Sequence, residues 1–183
     1  FRMQVVPTYN RELLSDSAGS IVKMVSYRDA LVVFKQEAIY TILGDLNGSY
    51  VVKKISGVVG TYSPRTVQEA PNGIYFLDSS RKVRVIDSTD FNSEDLRDTT
   101  DVSFKYRRKL NELEFSTLTF CHAVLWDNGI VQQYRLFVPI DTSGSYPDHC
   151  YVFDYGLASR NGGDSAWFDF KYNFYPSCSA VVR

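Results

Sequence analysis

Between Arg28 and Asp87 the hydrophobic pattern writes nearly the same unit twice. The first copy is the apolar run Ala30-Leu-Val-Val-Phe-Lys35, a polar break at Gln36-Glu37, and a second run Ala38-Ile-Tyr-Thr-Ile-Leu43. The second copy is Gly73-Ile-Tyr-Phe-Leu-Asp78, a break at Ser79-Ser-Arg81, and Lys82-Val-Arg-Val-Ile-Asp87. Short apolar runs rich in β-branched and aromatic residues, split by polar breaks, predict β-hairpins.

Leu31 recurs as Ile74, a spacing within the ~40–50 residues that one four-stranded propeller blade occupies. Residues 1–20 read as a lead-in loop with one strand at Arg2–Val6. Over 21–56, strands at Ile21–Tyr27, Leu31–Lys35, Ala38–Leu43 and Tyr50–Ser56 make one blade, with a turn at Gly44-Asp-Leu-Asn-Gly48. Over 57–98, a crossing at Gly57–Pro64 leads to strands at Arg65–Glu69, Ile74–Asp78 and Lys82–Asp87, then a short helix capped by Ser88 or Asp90. Residues 99–118 read as an irregular insertion, because Leu110, Leu113, Phe115 and Leu118 fit neither the helical nor the strand period. Strands at Thr119–Trp126, Val131–Ile140, Cys150–Asp154 and Ala166–Phe170 give a third blade over 119–170, with loops at 141–148 and 156–164. Residues 171–183 read as the start of a further blade. The expectation is an all-β chain: a β-propeller of about three blades plus part of a fourth. Three blades cannot close a ring, so the chain reads as a segment of a longer ring-closing one.

Composition sharpens this. The 183 residues include 13 Tyr and 12 Phe, side chains that suit pleated, half-buried surfaces. A net charge of −1 gives no general attraction to nucleic acid or an anionic membrane. The basic run Lys105, Arg107, Arg108 and Lys109 is the local exception, read first as a solvated surface turn. Three scattered cysteines, Cys121, Cys150 and Cys178, do not make a disulfide framework, and free thiols in a reducing cytosol are expected. Neither a signal peptide nor a membrane-spanning run is legible.

No motif for chemistry stands out. Cys121-His122 and His149-Cys150 form a mirrored pair, but adjacent strand residues face opposite sides and cannot converge on one zinc ion. No Gly-x-Ser-x-Gly elbow accompanies the two histidines. Asp141 with Asp148, or Asn161 with Asp164, could supply oxygens to calcium, yet no twelve-residue calcium loop is present and turn formation explains them. Trp126 and Trp167 read as packing residues. No cofactor and no metal site are expected, and the chain reads as a non-enzyme.

Several stretches together resemble a known family. They are Leu31–Lys35, Ile39–Ile42, Val51–Ser56, Gly60-Thr-Tyr-Ser-Pro-Arg65, Asn72–Leu77 and Val83–Asp87, followed by Leu136-Phe-Val-Pro139, Val152–Tyr155 and Ala166-Trp167. Their order is similar to the propeller domains of tail proteins of short-tailed bacteriophages, the tail nozzle and head-stabilising accessory proteins. That resemblance implies a structural virion protein of the tail, assembled in the host cytoplasm. Its partners would be identical subunits in a ring, usually a hexamer, portal or adaptor proteins, tail fibres, and DNA passing without sequence specificity. The basic run at Lys105, Arg107, Arg108 and Lys109 would then face the DNA channel or a subunit interface. The alternative class is a propeller binding module for peptide or glycan, and after it a propeller glycosidase.

Overall fold

The computed structural model describes residues 18–44, 50–87, 89–92, 101–140, 146–161, 166–174, 176, 178 and 179. The strand expected at Arg2–Val6, most of the turn after Gly44, the acidic spacer 93–100, Asp141, Asp164, and 175, 177 and 180–183 lie outside them.

Three antiparallel sheets follow one another along the chain. Sheet 1 is β1 (Ile21–Tyr27), β2 (Ala30–Lys35), β3 (Ile39–Gly44) and β4 (Tyr50–Ser56), neighbours in that order. Sheet 2 is β5 (Gln68–Ala70), β6 (Gly73–Leu77) and β7 (Val83–Ile86). Sheet 3 is β8 (His122–Asp127), β9 (Gln132–Val138), β10 (His149–Asp154) and β11 (Trp167–Lys171), again in chain order. The all-β expectation therefore holds. No helix among the described residues is long and apolar enough to cross a membrane, which leaves β-barrel spans unaddressed.

Sheet 2 is the middle layer. Alternate residues of β6 point to opposite faces. Ile74 and Phe76 join Val32, Phe34, Ile39 and Ile55 of sheet 1, with the Phe34 and Phe76 rings 5.0 Å apart. Tyr75 and Leu77 join Tyr134, Leu136, Tyr151 and Phe153 of sheet 3, and Tyr75 stacks on Tyr134 at 5.6 Å. All five residues of β6 are buried, which is why that run shows no polar alternation.

The first strands of the sheets lie side by side. Lys23 Nζ on β1 donates to the Val67 carbonyl at 2.8 Å, and Tyr27 Oη donates to the Pro71 carbonyl at 3.3 Å. Gln68 Nε2 on β5 donates to the Ala123 carbonyl of β8 at 2.9 Å. The outer faces of sheets 1 and 3 are also apolar. Val33 and Tyr40 lead one cluster, and Phe137, Cys150 and Val152 lead the other. In register with them, Met24 is 58% exposed at one end of the stack, and Phe168 and Phe170 are 43% and 54% exposed at the other.

The crossing from β4 to β5 runs through the core, so its polar groups need internal partners. Thr61 Oγ1 donates to the Leu77 carbonyl at 2.7 Å, Thr66 Oγ1 to the Ser63 carbonyl at 2.8 Å, and Ser63 Oγ to the Leu118 carbonyl. Gly60 threads between two turns: Thr61 N donates to the Lys35 carbonyl, and Ser79 N donates to the Gly60 carbonyl. A Cβ there would overlap the backbone of Lys35 and Gln36.

Three sequence expectations need correction. The strand expected at Arg65–Glu69 is a 3₁₀ turn at Pro64–Thr66 followed by the short β5; the proline favours the turn, and Thr66 bonds back to Ser63. The strand expected from Thr119 starts only at His122, because Phe115–Phe120 is 3₁₀. The loop expected at 156–164 begins as a helix, α2 (Tyr155–Asn161), capped by Asp154 Oδ1, which accepts from Leu157 N at 2.8 Å. Of the segment 88–101, where a short helix is expected, Ser88 and 93–100 lie outside the described residues; Asp90–Asn92 forms a 3₁₀ helix and Asp101 bridges to Arg84. The described part of the insertion, 101–118, is built of short elements. A 3₁₀ turn (Phe104–Tyr106), a helix α1 (Arg107–Leu110) and the Phe115–Phe120 turn alternate, so no single period governs its leucines.

A buried ion pair closes the β6–β7 turn. Arg84 Nε and Asp78 Oδ2 lie 2.6 Å apart, and the Asp78 carboxylate also accepts from the Ser80 and Lys82 amides. Asp78→Ala removes the carboxylate 2.6 Å from a buried guanidinium, and a loss of about 3–5 kcal/mol is expected in denaturant unfolding. Asp78→Leu combined with Arg84→Met should recover only part of it, since the two turn amides still lose their acceptor. Gly60→Ala should cost about 1–3 kcal/mol in the same measurement, because the crossing must shift to admit one methyl group.

Candidate functional site

The basic run sits on the Phe104–Tyr106 turn and α1. Its four members are not equivalent. Arg107 is committed to Asp101, with Nη2 2.8 Å from Oδ2, and its guanidinium lies 4.8 Å from the Phe104 ring centroid. Lys105, Arg108 and Lys109 are exposed. Below them Leu110 is fully buried, and Tyr106 stacks on Trp167 at 5.1 Å, which fastens the insertion to sheet 3. Arg81, in the β6–β7 turn, holds the other end by donating to the Asn111 and Leu113 carbonyls.

The mirrored cysteine and histidine pairs do not converge. Cys121 lies in the core between sheets 2 and 3, where burial pushes its thiol up to about 12. Cys150 lies on the opposite, outer face of sheet 3. His122 shares that outer face, but Phe137 stands between it and Cys150 in the strand register. His149 Nδ1 is 3.3 Å from Asp148 Oδ1. Asp148 itself is buried and accepts from Ile140 N at 2.7 Å, the behaviour of a turn former. Trp167 packs against the core and donates to the Val102 carbonyl at 3.0 Å; Trp126 carries Arg135 over its ring at 5.3 Å.

Two cavities flank the line of first strands. The larger, about 510 Å³, lies where the first hairpin turns of the three sheets meet. Tyr27 and Arg28 come from one turn, Ala70 and Pro71 from the next, and Asp127 from the third, with Tyr155 at the start of α2. Burial and then the Asp127 carboxylate push the Tyr155 hydroxyl up to about 12, so it stays protonated at neutral pH. The smaller, about 270 Å³, brings Lys23, Arg65, Gln68 and His122 together from β1, the Pro64–Thr66 turn, β5 and β8. None of the four residues of the basic run lines either cavity. Sequence reading missed this second group because its members are far apart in the chain. The one available signal was a basic side chain near the start of each sheet.

The Asp101–Arg107 pair gives a pH signature. Burial alone would raise the Asp101 carboxyl, but hydrogen bonds from Ser103 and Arg107 outweigh it and hold the group below its usual value. A depressed folded pKa gives stability that is present above the unfolded value of about 3.9 and is lost as pH falls through the folded one. The melting temperature should therefore fall on acidification below about pH 4. In Asp101→Asn that acid limb should be shallower than in the wild type.

No family model matches this chain, and no curated protein matches it.

Proposed function

We propose that the chain is a structural module of a β-propeller in the tail of a short-tailed bacteriophage, part of a nozzle or connector ring that conducts DNA and anchors fibres or adhesins. The observation that carries the reading is the stack itself. Three antiparallel up-and-down sheets follow in chain order, β1, β5 and β8 lie side by side, and both outer faces of the stack are apolar. Three sheets do not close a ring. In this reading the outer faces of sheets 1 and 3 receive further sheets, from more chain or from neighbouring subunits. Its work is mechanical, not catalytic, and the exposed Lys105, Arg108 and Lys109 face either passing DNA or the next subunit.

The alternative, a propeller module that binds a peptide or glycan, is favoured by the larger cavity. Tyr27, Glu69 and Asp127 line it from β1, β5 and β8, Tyr155 from the start of α2, and Arg28 from the turn after β1.

Mass spectrometry and electron cryomicroscopy of the native particle separate the two readings. The tail reading predicts a ring of identical copies on a virion, with β1, β5 and β8 nearest the axis. A free monomer that binds a peptide or glycan at the larger cavity contradicts it and supports the alternative.

A further inference from the structure

The larger cavity carries a carboxylate that nothing in the chain answers. Glu69, exposed on β5, lines it and makes no hydrogen bond or ion pair among the described residues. Asp127 is the second carboxylate on the lining, and it is held in place on the turn after β8. Gly129 N donates to its Oδ1 at 2.8 Å, and Gln132 Nε2 donates to its Oδ2 at 3.0 Å. Both donors are neutral, so they fix the carboxylate without cancelling its charge.

Among the described residues of the lining, Arg28 is the one cation. Its guanidinium lies 5.4 Å from the centroid of the Tyr27 ring, so this wall already accommodates a positive group over an aromatic face. The Arg28 charge is also felt by Asp87, which does not line the cavity. Burial alone would raise the Asp87 carboxyl, but hydrogen bonds from Thr89 and the Asp90 amide, together with the Arg28 charge, hold it below its usual value. The cavity thus sets two carboxylates above an apolar floor of Leu125, Ala70 and Pro71, while its own guanidinium is engaged at the rim.

We propose that this cavity binds the cationic side chain of a lysine or arginine from a partner peptide, with the alkyl stem on Leu125 and Pro71 and the terminal cation on Glu69. Long basic side chains join an apolar stem to a charged head, which matches a lining that is apolar below and acidic above. The volume of about 510 Å³ suits one such side chain with its flanking backbone. An anion would meet Glu69 and Asp127 as like charges, and a neutral ligand would leave the Glu69 carboxylate without a counter-charge. The inference rests on neither reading of the whole chain, since it needs only that the three turns meet. A ring offers the cavity to a neighbouring protein of the particle, and a lone module offers it to a soluble peptide.

The test is titration of the purified protein with N-acetyl-lysine methylamide, N-acetyl-arginine methylamide and, as the uncharged match, N-acetyl-norleucine methylamide. The backbone amide resonances of Glu69, Leu125 and Asp127 in NMR provide the readout. Saturable binding of either basic compound, about tenfold or more tighter than the norleucine compound, supports the site, and the tighter of the two identifies the preferred cation. Glu69→Gln keeps the shape of an exposed side chain and should weaken the basic compound about tenfold or more. Glu112→Gln, which removes an exposed carboxylate on the insertion, should leave binding unchanged. Absence of saturable binding by both basic compounds overturns the proposal. So does equal binding of the norleucine compound, an unaltered affinity in Glu69→Gln, or a loss in Glu112→Gln as large as in Glu69→Gln.

Discussion

Strand β6 has no face left for water. Ile74 and Phe76 are buried against sheet 1, while Tyr75 and Leu77 are buried against sheet 3. Side chains of this size contribute about 1.5–3 kcal/mol each when fully buried, and on β6 that stabilisation falls on both faces of one strand. A slip of one residue in its pairing with β5 or β7 would send every side chain to the wrong neighbour. The Tyr75 hydroxyl adds a directional constraint by accepting from Asn72 Nδ2 at 2.8 Å. The positions of the sheets on either side therefore depend on this one short strand.

A strand buried on both faces also dictates how the chain enters and leaves it. The crossing from sheet 1 passes through apolar surroundings, where Thr61 Oγ1 accepts from Ser63 N, and the Thr61 and Thr66 hydroxyls also satisfy the Leu77 carbonyl and amide of β6. Tyr134 of sheet 3 reaches the same crossing through its hydroxyl, which donates to the Thr66 carbonyl at 2.8 Å. The run Gly60-Thr-Tyr-Ser-Pro-Arg65 thus has a physical reason for its composition: small residues for close approach, hydroxyls for internal hydrogen bonds, and a proline for the turn.

Much of this was legible in the sequence. Ile21–Tyr27 and Tyr50–Ser56 are strands with the bounds that their patterns predicted, and the repeated hairpins stand where the polar breaks set them. Legibility failed where a tertiary contact replaced a local rule. Gly156, Ser159 and Asn161 look like loop residues, but Asp154 caps them into a helix that places Tyr155 against Tyr75. The insertion could not be read from its leucines, because Arg81 and the Tyr106–Trp167 stack hold it from outside its own segment. The basic run drew attention because its charges are consecutive. The group of Lys23, Arg65, Gln68 and His122 is assembled only when three sheets bring their first strands together.

Backbone amide hydrogen exchange tests the dependence on β6 most directly, since strands buried on both faces open only with the whole fold. The amides of Ile74–Leu77 should be the slowest to exchange, slower than those of β1 and β11, whose outer faces carry the exposed Met24, Phe168 and Phe170. Exchange in β6 as fast as in β1 or β11 would contradict the account, because the middle sheet would then not be the element on which the stack is built.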